Sequence, residues 1–143
     1  GHSFSYYSPV AQQAVSMMVA ERKVIQEMAK KQDCVIVGRG ANKILEEEEP
    51  FNIFIYADME SKMARCRERA PEDENLTDKE LARKIRQVDA ARAKTQEMIS
   101  DFKWGDKKWY HLCVNTSGLP IPETAALVAE YAKHWFERKE RYQ

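Results

Sequence analysis

Continuous apolar runs constrain the fold of this 143-residue chain more than any other feature. Residues 34–37 (CVIV) and 52–57 (NIFIYA) are two such runs, and residues 112–114 form a shorter third one. A run without polar alternation is typical of a strand that is covered on both faces, as strands of parallel sheets are. Segments with helical periodicity separate the three runs. The pattern therefore predicts an α/β domain whose parallel sheet is flanked by helices.

Four helices are expected between and around these strands. The first runs to Lys31 and begins with Ser8 as its cap and Pro9 at its first position, where a missing N–H does no harm. The second covers residues 59–69. The third begins at Thr77, which forms a capping box with Glu80, and continues to about residue 98. The last covers residues 122–140 and carries an apolar stripe.

Composition narrows the classes of partner. The chain has 23 basic and 23 acidic side chains, so it lacks the one-sided charge that non-specific binding to nucleic acid or a membrane surface needs. No apolar run approaches the roughly 20 residues of a membrane span. Its three cysteines form no CxxC pair and its three histidines have no ligand spacing, so no metal site is expected. Unpaired cysteines in apolar runs suit a reducing cytoplasm.

An arginine between two glycines follows the first predicted strand. Ligands of open parallel sheets bind beyond the carboxyl ends of the strands, where Gly38, Arg39 and Gly40 are expected. Flanking glycines let the backbone approach a ligand closely, and the arginine fork matches phosphate. The tripeptide is consistent with an anion cradle and also with an ordinary turn that carries a surface arginine.

The helix over residues 81–94 is rich in arginine. Arg83, Arg86, Asp89 and Arg92 recur every three residues, which predicts that they share one face and that Asp89 pairs with a neighbouring arginine. Three arginines beside one acid leave positive charge uncompensated, as phosphoryl transfer requires. An exposed helix with ordinary ion pairs is the alternative.

The sequence also lacks several catalytic motifs. It contains no GxxxxGK[ST] loop for a nucleoside triphosphate and no legible Ser/His/Asp or Cys/His set. Polar residues at 115–117 end the third strand and either line a nucleotide or form a plain turn. Three strands also make a thin parallel sheet, since typical sheets have about five or six.

Taken in order, these segments resemble the cytidylate kinase-like family of nucleoside monophosphate kinases. The matching segments are CVIVGRGAN, NIFIYADME, KIRQVDAAR and WGDKKWYHLCVNTS. The resemblance implies a three-layer P-loop kinase fold, with a parallel sheet flanked by helices and a helical lid over about residues 70–108. It further implies ATP-dependent phosphorylation of CMP, dCMP or a similar monophosphate in the full-length protein.

The resemblance also assigns roles to individual residues. Those expected to bind the acceptor phosphate are Gly38, Arg39 and Gly40. Asp89 and Arg92 match a D-x-x-R pattern and are expected to act on the transferring phosphoryl group, and Arg86 joins them on helix geometry more than on the motif. Further phosphate contacts are expected from Arg65 or Arg69. Those expected near the adenine of the donor are Asn115, Thr116 and Ser117. ATP and Mg²⁺ would lie mainly on an N-terminal strand and phosphate loop.

That N-terminal segment has no counterpart in residues 1–143, which we therefore expect to be one incomplete domain, inactive alone. The absent strand would lie between residues 34–37 and 52–57, and buried strand edges without a partner cost about 1 to 3 kcal/mol per unpaired group. Either a missing segment or a partner strand is expected there. The alternative function is a non-catalytic nucleotide- or partner-binding module that has lost the phosphate loop.

Overall fold

The computed structural model describes residues 9–142 and divides after Pro50 into two compact units, residues 1–50 (unit 1) and residues 51–143 (unit 2). Among residues 9–142, unit 1 contains two α-helices and unit 2 contains two strands and three α-helices, and each unit also has one short 3-10 helix. In chain order the α-helices and strands are α1 (Pro9–Lys31), α2 (Ala41–Ile44), β1 (Ile53–Tyr56), α3 (Met59–Arg69), α4 (Asp78–Ile99), β2 (Leu112–Asn115) and α5 (Ile121–Tyr142). No helix of the described residues is long and apolar enough to cross a membrane.

A small apolar cluster holds unit 1 together. Ile25 of α1 is buried against Ala41 and Leu45, and Ile36 packs on the edge of this cluster. Helix α1 has the predicted extent from Pro9 to Lys31. Its predicted cap, Ser8, lies outside the described residues.

The prediction of a buried strand at residues 34–37 is wrong. The segment is not a strand, the side chains of Val35 and Val37 are 93% and 88% exposed, and Cys34 is exposed as well. A β-strand exists only where a neighbouring strand accepts and donates its backbone hydrogen bonds. No strand among residues 9–142 pairs with this segment, so its apolar composition alone does not produce a strand.

The other two predicted strands are confirmed, and they pair with each other. Strands β1 and β2 run parallel, with Ile53 opposite Leu112 and Tyr56 opposite Asn115. They form a two-stranded sheet, and the three-layer sheet expected from the resemblance is not seen in the described part of the chain. The observed architecture is a helix-rich α/β arrangement with a small parallel sheet.

Local capping sets where the helices of unit 2 begin. Asp58 caps α3 by accepting a hydrogen bond from the Ser61 backbone N–H. The predicted capping box of α4 is present, with Thr77 and Glu80 bonding to each other's backbone N–H. Helix α4 packs against α3 and buries Leu81, Ile85 and Gln96 on one side.

Aromatic packing joins the start of β1 to helix α5. The Phe51 ring lies within 5.9 Å of the rings of His111 and Tyr131 and 5.1 Å from that of Trp135. The Nδ1 atom of His111 accepts a hydrogen bond of 2.9 Å from the Asn52 backbone N–H. Trp135 is buried, whereas the neighbouring Phe136 is 53% exposed.

The connection from α4 to β2 packs on the other side of β1. Phe54 of β1 contacts Trp104 and Tyr110, each with a ring centroid 5.0 Å away. Gly105 lies against the same ring, because a Cβ atom there would come within 3.2 Å of Phe54. Its φ of +81° is also a conformation that side chains disfavour. Trp104 therefore serves packing within unit 2.

We expect Gly105→Ala to lower the free energy of unfolding by about 2 to 4 kcal/mol, from a left-handed alanine together with overpacking. Gly118→Ala is the matched control, since Gly118 has a φ of +68° but open space around its Cβ position. It should cost only about 1 to 2 kcal/mol. Chemical denaturation measures both values, and equal losses would contradict the close packing of Phe54 on Gly105.

Candidate functional site

The carboxyl ends of β1 and β2 lie side by side and are followed by polar residues. Thr116 comes directly after β2, and its backbone N–H and its hydroxyl both donate to the Tyr56 carbonyl, at 2.8 and 3.0 Å. These bonds extend the parallel pairing by one residue and fix the loop that follows. This edge is where open parallel sheets bind their ligands.

Arg65 of α3 holds this loop through hydrogen bonds from its guanidinium. Its Nη1 donates to Thr116 Oγ1 at 2.9 Å, and its Nη2 donates to the carbonyl oxygens of Thr116 and, at 3.3 Å, Leu119. Thr116 is only 2% exposed. The structure therefore uses the Arg65 guanidinium and Thr116 to position the loop. Their predicted contacts with phosphate and adenine would require this arrangement to open.

Ser117 connects the same loop to the start of α3. Its hydroxyl accepts a 2.7 Å bond from the Asp58 backbone N–H and donates to Asn115 Oδ1 at 2.6 Å. A second bridge runs from the Gly118 N–H to Ser61 Oγ at 3.1 Å. The Asn115 side chain is exposed and Ser117 is half-buried, so of the three predicted donor-binding residues these two lie nearer the surface.

The Asp58 carboxylate is stabilised at this edge. The backbone N–H of Ser61, followed by the hydroxyls of Ser61 and Ser117 and the charge of Arg65, lowers the pKa of Asp58 below its ordinary value of 3.8. Hydrogen bonds donated to a carboxylate favour its charged form. Asp58 therefore keeps its negative charge in moderately acidic solution.

Asp89 pairs with a lysine of α3, and the prediction that it pairs with an arginine of its own helix is wrong. Lys62 Nζ lies 2.6 Å from Asp89 Oδ2, and both side chains are about two-thirds buried or more, with 31% and 26% exposed. Lys62 reaches Asp89 from the facing helix α3, so the carboxylate is engaged between the two helices and not along α4. The arginines of α4 are thus left without this acid.

The arginines of α4 also do not share one face. Counting about 100° per residue, Arg92 lies about 20° around the helix from the buried Leu81, whereas Arg83 lies about 160° away. A drift of about 60° at each three-residue step accumulates over three steps to half a turn. Arg92 is therefore the arginine closest to the buried side of α4, and Arg86 lies between the two.

These arginines are exposed and uncompensated. Arg83, Arg86 and Arg92 are all exposed, and no carboxylate of the described residues forms an ion pair with them. The predicted phosphate contact Arg69 is likewise exposed at the end of α3. A helix with this charge can bind an anion without first breaking an internal salt bridge.

In unit 1, the Gly38-Arg39-Gly40 turn has an unusual backbone. All three residues have positive φ, at 69°, 60° and 65°. For arginine this left-handed conformation is strained by about 1 to 2 kcal/mol, and such strain concentrates at functional sites. The side chain is 69% exposed, and its Nε lies 3.5 Å from Glu21 Oε1. The turn presents a cation at the surface of the unit.

The described residues do not fit a metal site formed by the protein alone. Within residues 9–142, no group of three or more His, Cys, Asp or Glu side chains is arranged to hold a metal ion.

Sequence reasoning missed the residues that build the edge. Asp58 and Ser61 carried a usable signal, since an Asp three residues before a Ser at the start of a helix is typical of a cap. No local sequence pattern identifies Lys62, because its partner Asp89 is 27 residues away on another helix.

We expect the Asp58 cap to make stability depend on pH. A lowered pKa in the folded state adds stability that is fully present above the unfolded value of about 4 and is lost as pH falls through the folded value. The melting temperature of Asp58→Asn, which keeps a capping oxygen, should therefore lie below that of wild type at pH 6 and approach it near pH 3. A difference that stays constant with pH would contradict the role of the charge.

Comparison with known proteins places the chain in a family. The model of the cytidylate kinase-like family matches residues 4–118. A crystal structure of an uncharacterized protein from Eubacterium ventriosum ATCC 27560 is similar, with a TM-score of 0.70 and 26% identity over 90% of this chain and 69% of that one. No curated protein matches the chain. The family match covers most of the chain, from unit 1 through the polar loop after β2. The chain therefore belongs to the cytidylate kinase-like family.

Proposed function

We propose that the full protein is a nucleoside monophosphate kinase-like phosphotransferase that transfers a phosphoryl group from ATP to CMP, dCMP or a similar monophosphate. One observation carries this proposal. In this chain, a member of the cytidylate kinase-like family, Asp89 is paired with Lys62, so no carboxylate of the described residues is bonded to the exposed Arg86 and Arg92. A helix whose charge is kept available in this way is suited to a phosphate ligand.

The proposed chemistry is positioning and charge stabilisation. Arg92 and Arg86 would neutralise the oxygens of the transferring group, and Arg39 would hold the acceptor phosphate between Gly38 and Gly40. Asn115 and Ser117 would contact the donor nucleotide near its adenine. Phosphoryl transfer needs little covalent help from the protein, which fits a chain without a legible nucleophile.

The triphosphate site would lie mainly outside these residues. The sequence contains no GxxxxGK[ST] loop, so we propose that a glycine-rich segment beyond residues 1–143 binds ATP, which supplies its own Mg²⁺. Strand β1 supports this proposal, because only one of its edges is paired within the described residues and its Ile55 is 52% exposed. A further parallel strand would pair with the other edge of β1, which has no partner strand among the described residues. Free thiols at Cys34, Cys66 and Cys113 suit the cytoplasm as its compartment.

A non-catalytic module that binds a nucleotide or a protein partner is the second candidate. The observation in its favour is the same missing phosphate loop. Turnover by the natural full-length protein separates the two, since a binding module would release no ADP whether it binds a nucleotide or a protein.

We expect Arg92→Ala in the full-length protein to lower kcat by at least about tenfold, because a cation that stabilises the transferring group is removed. Arg83→Ala is the matched control, since it removes the same charge from the opposite side of α4 and should change kcat by less than about twofold. An ADP-release assay measures both. Equal effects in the two variants would reject the specific role of Arg92.

Two variants of Arg39 separate its effect on CMP binding from the strain of its left-handed backbone. Arg39→Gly and Arg39→Ala both remove the cation, and we expect each to weaken CMP binding by about tenfold or more. The glycine variant should be more stable than the alanine variant by about 1 kcal/mol, because only alanine keeps the left-handed penalty. Calorimetry and thermal melting measure the two effects. Unchanged CMP affinity would remove Arg39 from the acceptor site.

A further inference from the structure

We propose that Lys62 is the positioning residue of the arginine helix: its ammonium group holds α4 against α3 through Asp89 and thereby sets the affinity and reactivity for the monophosphate. No sequence motif identifies this lysine. The part of the inference that concerns affinity and reactivity for the monophosphate rests on the proposed function. The inference starts from one contact, the 2.6 Å ion pair between Lys62 Nζ and Asp89 Oδ2.

Lys62 lies in a part of α3 that is fixed to the sheet edge, so its contact with Asp89 can hold α4 in place. Its backbone N–H bonds to the carbonyl of Asp58, so it lies in the first turn of α3. That turn is itself fixed to the sheet edge, because Asp58 and Ser61 bond to Ser117 and Gly118 of the loop after β2. One turn further along, Arg65 holds Thr116 of the same loop. Lys62 therefore projects from the most firmly held part of α3.

The position of Asp89 in α4 completes the connection. Asp89 lies near the middle of the 22-residue helix, three residues from Arg86 on one side and from Arg92 on the other. Apolar burial fixes the first half of α4 through Leu81 and Ile85. Around residue 89 the side-chain contact between α4 and α3 is this ion pair, which is why we infer that it holds the arginine-bearing part of α4 against α3.

The charge arrangement supports positioning over direct phosphate binding by Lys62. Its ammonium is engaged by a carboxylate and is only 31% exposed, whereas the arginines are exposed and have no acidic partner among the described residues. A lysine that bound phosphate directly would have to leave Asp89 unpaired at a half-buried position. The pair is better suited to orient α4, since a displacement of about 1 Å in a positioning element can lower a rate by about a hundredfold.

The positioning role can be tested without any assay of activity. In hydrogen–deuterium exchange of the full-length protein, Lys62→Met should raise the exchange rate of α4 amides over residues 86–96 by about threefold or more. Lys62→Arg should keep the wild-type rate. Lys84→Met is the matched control, since Lys84 also forms an ion pair, with Glu74 at 3.6 Å, but is 64% exposed. Unchanged exchange in Lys62→Met would overturn the inference.

Exchanging the two charges adds a second test. The double variant Lys62→Asp with Asp89→Lys keeps the summed length of the two side chains, so it should restore slow exchange that Lys62→Asp alone loses. Failure of the double variant to restore it would show that the pair itself is not what holds α4.

The effect of Lys62 on catalysis is measured separately, by steady-state kinetics. Lys62→Met should lower kcat/KM for CMP by about tenfold or more and leave the KM for ATP within about twofold, while Lys62→Arg recovers most of the loss. In an active protein, an unchanged kcat/KM for CMP would overturn this part of the inference. A wild type that neither binds nor phosphorylates a monophosphate would reject the proposed function, and the exchange data would still decide whether Lys62 positions α4.

Discussion

The parallel pairing of β1 with β2 is the constraint on which the rest of unit 2 depends. It brings two strand ends together, and Thr116 prolongs it by bonding twice to the Tyr56 carbonyl. Arg65 then holds the buried Thr116, so a single arginine links α3 to the loop after β2. Hydrogen bonds between buried polar groups are costly to break one at a time, and this set therefore keeps the sheet edge in one conformation.

The charged side chains of α4 are divided between an internal ion pair and the surface. Asp89 of α4 is paired with Lys62, and the arginines of the same helix are exposed. This division explains how a chain with equal numbers of acidic and basic side chains can still present a local cationic surface. The proposed phosphoryl transfer would need such a surface, because that reaction accumulates negative charge on oxygen.

Much of unit 2 followed from the sequence because its signals are local. Caps at Thr77 and Glu80 set the start of α4, and apolar runs gave both strands. The same reasoning failed at Val35 and Val37, because an apolar run records a tendency to be buried and not the presence of a pairing partner. It also failed at Asp89, whose partner lies on another helix, and sequence spacing favours neighbours within one helix. The left-handed φ of Arg39 was foreshadowed only by its flanking glycines.

The most direct test of the central claim, that this family member binds a monophosphate through its arginines, compares two ligands that differ only in the phosphate. CMP and cytidine are added to the full-length protein and the melting temperature is recorded. A ligand at 100 times its Kd stabilises the folded state by about 2.7 kcal/mol, so binding is readily detected. The account predicts that CMP raises the melting temperature, less so at high salt, and that cytidine does not. Equal shifts with the two ligands, or none with either, would contradict it.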